Sequence, residues 1–260
     1  MNIIGIIPAR MDSSRFPGKP LAKICGIPML GHVYFRSRMS KILEELYIAT
    51  CDKEIADYAL SIGCKPIMTS RTHERASDRT KEAVLNIERQ GGVKPDIVVM
   101  IQGDEPMLYP EMIEEVIAPM LSDDSIQVVN LMSVIGSKSE QDDPNVVKVV
   151  VDLNNYAMYF SRESIPSGKK ASKDPVNYKQ VPIIPFRRDF LIKYSGLAQT
   201  PNEVIESVDM LRIIEHGYRV KMVLTKFATS GVDRPQDLQK VEKLMEHDKL
   251  LPQYREGNHK

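Results

Sequence analysis

The sequence predicts an α/β fold built on a doubly wound, mostly parallel sheet. Short apolar runs, such as residues 3–7 and 97–101, alternate with amphipathic segments of helical period. This alternation is typical of parallel strands joined by crossover helices. Right-handed crossovers bring the carboxyl ends of the strands to one edge of the sheet. We therefore expect a ligand site to lie at that edge.

The individual elements follow from hydrophobic period and from breaker residues. Strands are predicted at residues 3–8, 44–50, 64–68, 97–101, 125–134, 142–151, 178–188 and 220–227. Helices are predicted at residues 29–39, 52–62, 80–89, 111–120, 201–217 and 235–247. The polar segment 166–174 is predicted as a surface loop.

Composition narrows the classes of function. The 260 residues carry 35 basic and 35 acidic side chains, so no overall field favours nucleic acid or a membrane surface. Cys25, Cys51 and Cys64 form no metal-ligand or disulfide spacing, which predicts a reducing cytoplasm. The sequence shows no signal segment and no membrane-spanning run. Because the chain carries no net charge, any site for an anion must depend on a local group of basic residues.

A basic loop follows the first predicted strand, which ends where Pro8 can donate no ladder hydrogen bond. The loop carries Arg10, Arg15 and Lys19, together with Ser13, Ser14 and Gly18. At the carboxyl end of a parallel strand these groups suit a polyphosphate. The alternative is a solvated basic turn. The spacing matches neither a Walker loop nor a dinucleotide fingerprint.

Two carboxylates occupy similar places at predicted strand ends. Asp104 follows the apolar run 97–101, and Asp233 follows strand 220–227. Such a carboxylate can point at bound phosphate only if a cation lies between them, so Asp104 is a candidate magnesium ligand and Asp233 is a second carboxylate in a similar position. The alternative for each is a helix cap, as it is for Ser77 and Asp78 before the third helix.

Lys148 interrupts an apolar strand, and we expect its ammonium to be paired or to support a polar cleft.

Several motifs together resemble the cytidylyltransferases that activate acidic sugars, above all the 3-deoxy-manno-octulosonate cytidylyltransferases. The motifs are Pro8-Ala9-Arg10, Ser13-Ser14-Arg15-Phe16-Pro17-Gly18-Lys19-Pro20-Leu21, Gln102-Gly103-Asp104-Glu105-Pro106, Asp143-Pro144-Asn145, Tyr156 to Arg162, and Gly231-Val232-Asp233-Arg234-Pro235. The segment from His73 to Arg79 also matches, although the family glycine is Ala76 here. The resemblance extends from residue 3 to about residue 245.

The resemblance implies a fold of the nucleotide-diphospho-sugar transferase type and a CTP-dependent reaction with Mg²⁺. A single domain would span residues 1–250, with a substrate and dimerisation lobe at about 150–215 and a C-terminal tail at 251–260. Residues implied for catalysis are Arg10, Lys19, Asp104 and Asp233, the last two as metal ligands. Residues implied for nucleotide binding are Pro8, Ala9, Arg10, Ser13, Ser14, Arg15, Lys19, Ser77, Asp78 and Arg79.

The resemblance further implies that CMP passes to an acidic sugar, that the product feeds surface polysaccharide, and that the enzyme is a homodimer. Residues implied for binding the acid are Gln102, Arg162, Gln180, Glu206 and Asp209. For Arg162, structural pairing inside the fold remains an alternative to a substrate carboxylate.

The acid-binding motifs depart from the family pattern. Gln180 replaces a histidine, Pro182 a glycine, Ile184 and Phe186 two tyrosines, Asp209 a glutamate and Met210 a glutamine. A pocket that loses hydrogen-bonding groups discriminates against hydroxylated ligands. The alternatives to the octulosonate are therefore an amino-octulosonate, a nonulosonate, or a phosphonate or other small acid.

Two other classes remain as alternatives. A catalytically silent nucleotide-binding homologue is disfavoured because Lys19 and both strand-end aspartates are present. A nicotinamide-dependent oxidoreductase is disfavoured because the glycine fingerprint is missing.

Overall fold

The computed structural model describes residues 1–12, 15–172 and 175–255. The chain forms two compact units. The first unit consists of residues 1–114 and 229–260, and the second of residues 115–228. The predicted substrate and dimerisation lobe, 150–215, falls within the second unit.

The strands are β1 (Ile3–Pro8), β2 (Lys23–Ile24), β3 (Ile27–Pro28), β4 (Glu45–Thr50), β5 (Lys65–Met68), β6 (Ile97–Ile101), β7 (Val129–Val134), β8 (Lys148–Val151), β9 (Ala157–Ser161), β10 (Tyr178–Val181), β11 (Ile183–Arg187) and β12 (Lys221–Leu224). The helices are α1 (Met29–Arg38), α2 (Lys53–Ser61), α3 (Ala76–Arg89), α4 (Pro110–Ser122), α5 (Lys138–Asp142), α6 (Arg188–Tyr194), α7 (Pro201–Glu206), α8 (Met210–Glu215), α9 (Pro235–Met245) and α10 (Leu251–Arg255). A 3₁₀ turn spans Lys19–Leu21.

The first unit is built on parallel strands in the order β6, β1, β4, β5. Every residue of β6 is buried, and so is β1 up to Ile7. Strands enclosed in this way lie between layers of helix, as in a doubly wound sheet. The predicted α/β fold is therefore confirmed.

The C-terminal segment of the first unit packs on the start of the chain. Val241 and Met245 of α9 and Leu251 and Tyr254 of α10 are buried in one cluster with Met29 of α1. Residues 251–255, which were predicted as the start of a tail, form helix α10. The buried apolar face of α9 and α10 therefore fixes the position of the segment that begins at Asp233.

The second unit contains a mixed sheet in the order β12, β7, β10, β8, β9. Strand β12 runs parallel to β7, and the pairs β7–β10, β10–β8 and β8–β9 are antiparallel. Strands β8 and β9 are joined by a short connection, as antiparallel pairing allows, whereas β10 pairs with β7 and β8 across longer stretches of chain.

Three predicted boundaries are corrected. Helix α3 begins at Ala76 rather than residue 80. The predicted strand 142–151 shortens to β8, because Asp143 accepts hydrogen bonds from the backbone and side chain of Asn145 in a turn. The predicted helix 201–217 divides into α7 and α8, because Ser207 adopts a left-handed φ of 51° between them. Within the described ranges, none of the helices is both long and apolar enough to cross a bilayer.

Candidate active site

The loops of the first unit gather at one edge of its sheet. Strands β1, β4, β5 and β6 are parallel, so Pro8, Thr50, Met68 and Ile101 end at the same edge. Pro8 and Ala9 lead into the basic loop there, and Gln102 leads into the loop that carries Asp104. Ser13 and Ser14 lie outside the described residues, so their predicted contacts stay a prediction.

The structure brings Lys19, Asp104 and Asp233 together. The Nζ atom of Lys19 lies 3.0 Å from Oδ2 of Asp104 and 3.8 Å from Oδ1 of Asp233. It also donates to the backbone oxygen of Val232 at 3.0 Å. Arg15 approaches Asp233 from its guanidinium, with Nη2 3.0 Å from Oδ1. The positively charged ammonium group of Lys19 thus lies between the two carboxylates.

A close backbone contact sets the spacing of the two carboxylates. The Val232 N–H donates to the Asp104 oxygen at 2.9 Å. A Cβ atom on Gly231 would lie 2.9 Å from Oε1 of Glu105, the end of a flexible side chain, and 3.5 Å from the backbone oxygen of Asp104. The backbone of Gly231 therefore lies close to the segment that carries Asp104 and Glu105.

Neither aspartate acts as the helix cap that was the alternative interpretation. Helix α4 begins only at Pro110, well beyond Asp104. At α9 the carboxylate of Asp237 accepts from the backbone N–H groups of Asp233 and Arg234. Asp237 therefore satisfies these donors, which leaves the carboxylate of Asp233 directed to Arg15 and Lys19.

The electrostatics of this cluster depend on two carboxylates and the two basic side chains that contact them. Burial raises the pKa of Asp233, and the neighbouring Asp104 raises it further, while Lys19 and Arg15 oppose the shift. Among the described residues there is no group of three or more His, Cys, Asp and Glu side chains that could enclose a metal by itself. Two carboxylates that leave the remaining positions to phosphate oxygens are the donor set that Mg²⁺ commonly uses. The residues therefore fit that ion.

The loop after β5 is held by side chains from α3. Arg79 is buried and donates from Nη1 to Oγ1 of Thr69 at 2.5 Å and to the Ser70 oxygen at 3.3 Å. Ser77 and Asp78 lie inside the first turn of α3, and Arg75 occupies the cap position. The N-cap interpretation of Ser77 and Asp78 is therefore wrong. Asp78 instead places a negative charge at the positive end of the helix.

Two further carboxylates at this edge were not singled out from the sequence. Glu82 contacts the His73 ring at Nε2 and accepts from the Ser70 N–H at 2.9 Å. Burial opposes ionisation of Glu82, but these hydrogen bonds outweigh it and lower the pKa of its carboxyl. Asp52 accepts from the Met11 N–H at 2.7 Å. Its place two residues after the end of β4 was the signal available in the sequence.

Arg10 is exposed, and its Nη1 lies 3.4 Å from the backbone oxygen of His73. The basic loop and the loop after β5 therefore meet at this arginine. Phosphate contacts of Arg10 remain a prediction.

Most of the residues predicted to bind the acid lie in the second unit, whereas Gln102 lies in the first. Arg162 donates to the backbone oxygens of Glu206, Pro144 and Ser207 at 2.6, 2.9 and 3.2 Å. Glu206 accepts from Ser161 Oγ at 2.7 Å and from the Arg162 N–H at 2.8 Å. These bonds favour the alternative in which Arg162 is paired inside the fold.

Gln180 and Asp209 have more specific settings. Nε2 of Gln180 donates to Oδ1 of Asn130 at 2.6 Å. The backbone oxygen of Asp209, at the start of α8, accepts from the Tyr194 hydroxyl at 3.0 Å. Contacts of either side chain with an acid remain a prediction.

Lys148 is completely buried and has a structural role. Its ammonium donates to the backbone oxygens of Asp143, Val146 and Arg162 at 2.8, 3.0 and 2.6 Å. Three N–H groups thus meet three carbonyls, which is the full donor capacity of a lysine. Burial lowers the pKa of this ammonium. The lysine therefore fastens the turn before β8 to the end of β9.

Comparison with known proteins decides the family. The sequence model described as cytidylyltransferase matches residues 4–226. The chain belongs to the cytidylyltransferase family. Its activity class is therefore transfer of a cytidylyl group, as the strand-end motifs predicted.

Relatives of this cytidylyltransferase are similar over almost their whole length. The 3-deoxy-manno-octulosonate cytidylyltransferase of Geobacter metallireducens is 42% identical over 251 residues, covering 93% of this chain and 96% of that relative. The enzyme of the same name from Geotalea uraniireducens is 40% identical over 251 residues, covering 93% and 98%. A solved structure of CMP:2-keto-3-deoxy-manno-octonic acid synthetase complexed with CTP is 38% identical, with a TM-score of 0.86, and covers 95% of this chain and 99% of that one.

Proposed function

We propose that this cytidylyltransferase transfers CMP from CTP to an acidic sugar of the 3-deoxy-octulosonate type and releases pyrophosphate. The observation that carries the proposal is the cluster of Lys19, Asp104 and Asp233 at the strand ends of the first unit. The names of the similar enzymes and the CTP complex of a similar structure support the choice of substrates.

The reaction follows from the charges of the cluster. A hydroxyl oxygen of the acid attacks the α-phosphorus, the bond to the β-phosphate oxygen breaks, and its electron pair leaves with pyrophosphate. Lys19 and Arg15, with Arg10 at the same edge, offset negative charge that grows on the leaving group. The hydroxyl proton passes to solvent. Positioning and electrostatics supply the rate, without a covalent enzyme intermediate.

Mg²⁺ is the proposed cofactor, with Asp104 and Asp233 as its protein ligands. When bound, it would neutralise phosphate charge between the two carboxylates. We expect Asp104→Asn and Asp233→Asn each to weaken Mn²⁺ binding, measured by electron paramagnetic resonance of the free ion. Unchanged Mn²⁺ binding in both variants would reject this ligand assignment, whatever the activity of the variants.

Gln180, which replaces the family histidine, is expected to change which group of the acid this part of the pocket binds. Asn130 is fully buried, and its Nδ2 donates to the backbone oxygens of Val181 and Leu131 at 2.8 and 2.9 Å. This fixes Oδ1 toward Gln180, which must present its own Nε2 to it. The orientation of the Gln180 amide is thereby set, whereas a histidine could change tautomer. We propose that its carbonyl oxygen accepts a hydrogen bond from a hydroxyl or ammonium group of the acid.

The test is pyrophosphate release from CTP and Mg²⁺ with a panel of acids: the octulosonate, its 8-amino relative, nonulosonates and small phosphonates. Release with the octulosonate supports the proposal in its simplest form. Release with only another member of the panel identifies that acid as the acceptor and makes Gln180, Asp209 and Met210 candidate specificity determinants. Tight CTP binding with no release from any acid would instead favour the silent homologue.

We also propose a homodimer formed through residues 150–215, in a reducing cytoplasm. Val204 and Ile205 on α7 expose 57% and 77% of their surface, which is unusual for two adjacent large apolar side chains. Cys25, Cys51 and Cys64 are free thiols, which suits that compartment. Light scattering should give twice the chain mass for the wild type, with Ile205→Ser shifted toward monomer. A monomeric wild type would reject the dimer.

A further inference from the structure

A buried carboxylate lies at the active edge of the first unit without a role in the reaction derived above. Asp52 lies two residues after Thr50, the last residue of β4, and its side chain is only 11% exposed. It occupies the cap position of α2 but makes no side-chain cap bond. A buried charge is costly unless hydrogen bonds compensate it. Its partners therefore indicate what this carboxylate is for.

Apart from the neighbouring Cys51, whose Sγ lies 3.6 Å from Oδ2, those partners belong to the loops that follow β1 and β5, the strands that flank β4. Oδ2 of Asp52 accepts from the backbone N–H of Met11 at 2.7 Å, across 41 positions of sequence. Oδ1 lies 3.9 Å from Nη1 of Arg71 in the loop after β5. The Asp52 N–H is itself held by Oγ1 of Thr50 at 3.1 Å, which steadies the strand end.

The contact with Met11 acts directly on the basic loop. Met11 follows Arg10, and its carbonyl oxygen accepts from the N–H of Gly18 at 2.9 Å, just before Lys19. One backbone residue thus connects Asp52 to the entry and the exit of the loop. A charged acceptor gives a shorter and stronger hydrogen bond than a neutral one.

We propose that Asp52 is a positioning residue that holds the basic loop in its triphosphate-binding conformation through the Met11 N–H. This inference rests on the proposed CTP-dependent function. It assigns Asp52 no contact with the nucleotide. Its consequence runs against simple electrostatics, since removing a negative charge beside a triphosphate site should tighten binding, whereas loss of the loop conformation should weaken it.

The experiment compares the wild type with Asp52→Ala, Asp52→Asn and the control Asp57→Ala. Asp57 lies on α2 with its side chain 58% exposed and pairs with Lys53, one turn away on the same helix. Calorimetric titrations use CTP and, separately, inorganic tripolyphosphate, both with Mg²⁺ and without acid. Hydrogen exchange of the peptide that contains Met11 is followed without ligand, and thermal unfolding is recorded for every variant.

We expect Asp52→Ala to bind both CTP and tripolyphosphate about tenfold more weakly, the size of effect of one charge-assisted hydrogen bond. Its Met11 peptide should exchange faster. Asp52→Asn retains an acceptor oxygen and should stay within about threefold of the wild type, as should Asp57→Ala.

Tighter or unchanged binding by Asp52→Ala, or unchanged exchange at Met11, would overturn the inference. Equal losses in Asp52→Asn and Asp52→Ala would overturn it too, because charge rather than the acceptor atom would then matter. If the wild type binds tripolyphosphate but not CTP, the proposed function fails while the tripolyphosphate comparison still decides the role of Asp52. If it binds neither, both fail.

Discussion

Acid should destabilise this protein through one buried histidine. His32 on α1 has no exposed surface, and its ring lies between the Ile24 carbonyl and the Tyr254 hydroxyl, each 2.8 Å from a ring nitrogen. A carbonyl can only accept, so Nε2 carries the proton and Nδ1 accepts from Tyr254. Nε of Arg36 donates to the same hydroxyl at 3.0 Å. The network is therefore complete only when His32 is neutral.

Protonation would place a second donor against Tyr254 and a second positive charge near Arg36. Burial, aided by Arg36, lowers the pKa of His32 from 6.5 to about 4. Between these two values the unfolded chain binds a proton that the folded chain does not, so stability falls as pH falls. At 1.36 kcal/mol per pH unit the whole effect is about 3 kcal/mol, and about 2 kcal/mol is already lost at pH 5.

The assay is urea unfolding of the wild type and His32→Gln at pH 7.5 and pH 5. Glutamine does not titrate, and subtracting its pH dependence removes the contribution of every other group. We expect the wild type to lose about 2 kcal/mol more than the variant between the two pH values. Equal losses in the two proteins would refute the reasoning, because His32 would then titrate alike in the folded and unfolded states.

Two other expectations test the roles of buried polar groups. Lys148→Met leaves three backbone carbonyls without their donors and should lower the free energy of unfolding by about 3 kcal/mol, measured in urea. The kcat at 20 °C should remain near that of the wild type, and a large loss of kcat with intact stability would contradict the structural role. Glu82→Ala removes the partner of Ser70 and His73 and should raise the KM for CTP about tenfold at nearly constant kcat. The exposed Glu74→Gln serves as the charge control, and an equal effect there would argue against a specific contact.

The candidate site could be predicted where its residues stand at strand ends. Asp104 is identified by an apolar run before it and a glycine beside it, which are local features of sequence. Lys19 is identified by the basic loop that follows the first strand, and the family motif then supplied Asp233 as the second metal ligand. Asp52 and Glu82 could not be identified in this way because neither lies in a family motif. Their partners Met11, Ser70 and His73 lie 41, 12 and 9 positions away in the sequence.

Arg162 is a residue for which the sequence suggested a ligand contact and the structure shows partners within the fold instead. Its residue type suits a carboxylate, and the resemblance implied one, yet the structure gives its guanidinium backbone carbonyls from two other segments. Backbone carbonyl partners cannot be recognised from a sequence, since every residue carries a carbonyl group. Only the path of the chain decides which carbonyls come within reach.

The sequence by itself determined the alternation of strands and helices, because side-chain period is local and hydrophobic burial follows it. It also determined which charged residues end the strands. The tertiary structure decided which of them meet: Lys19 reaches the Val232 oxygen across 213 positions, and Asp52 reaches Met11 across 41. Such pairings depend on the distance between strand ends after the sheet has formed, and that distance is a property of the packed chain rather than of any segment of it.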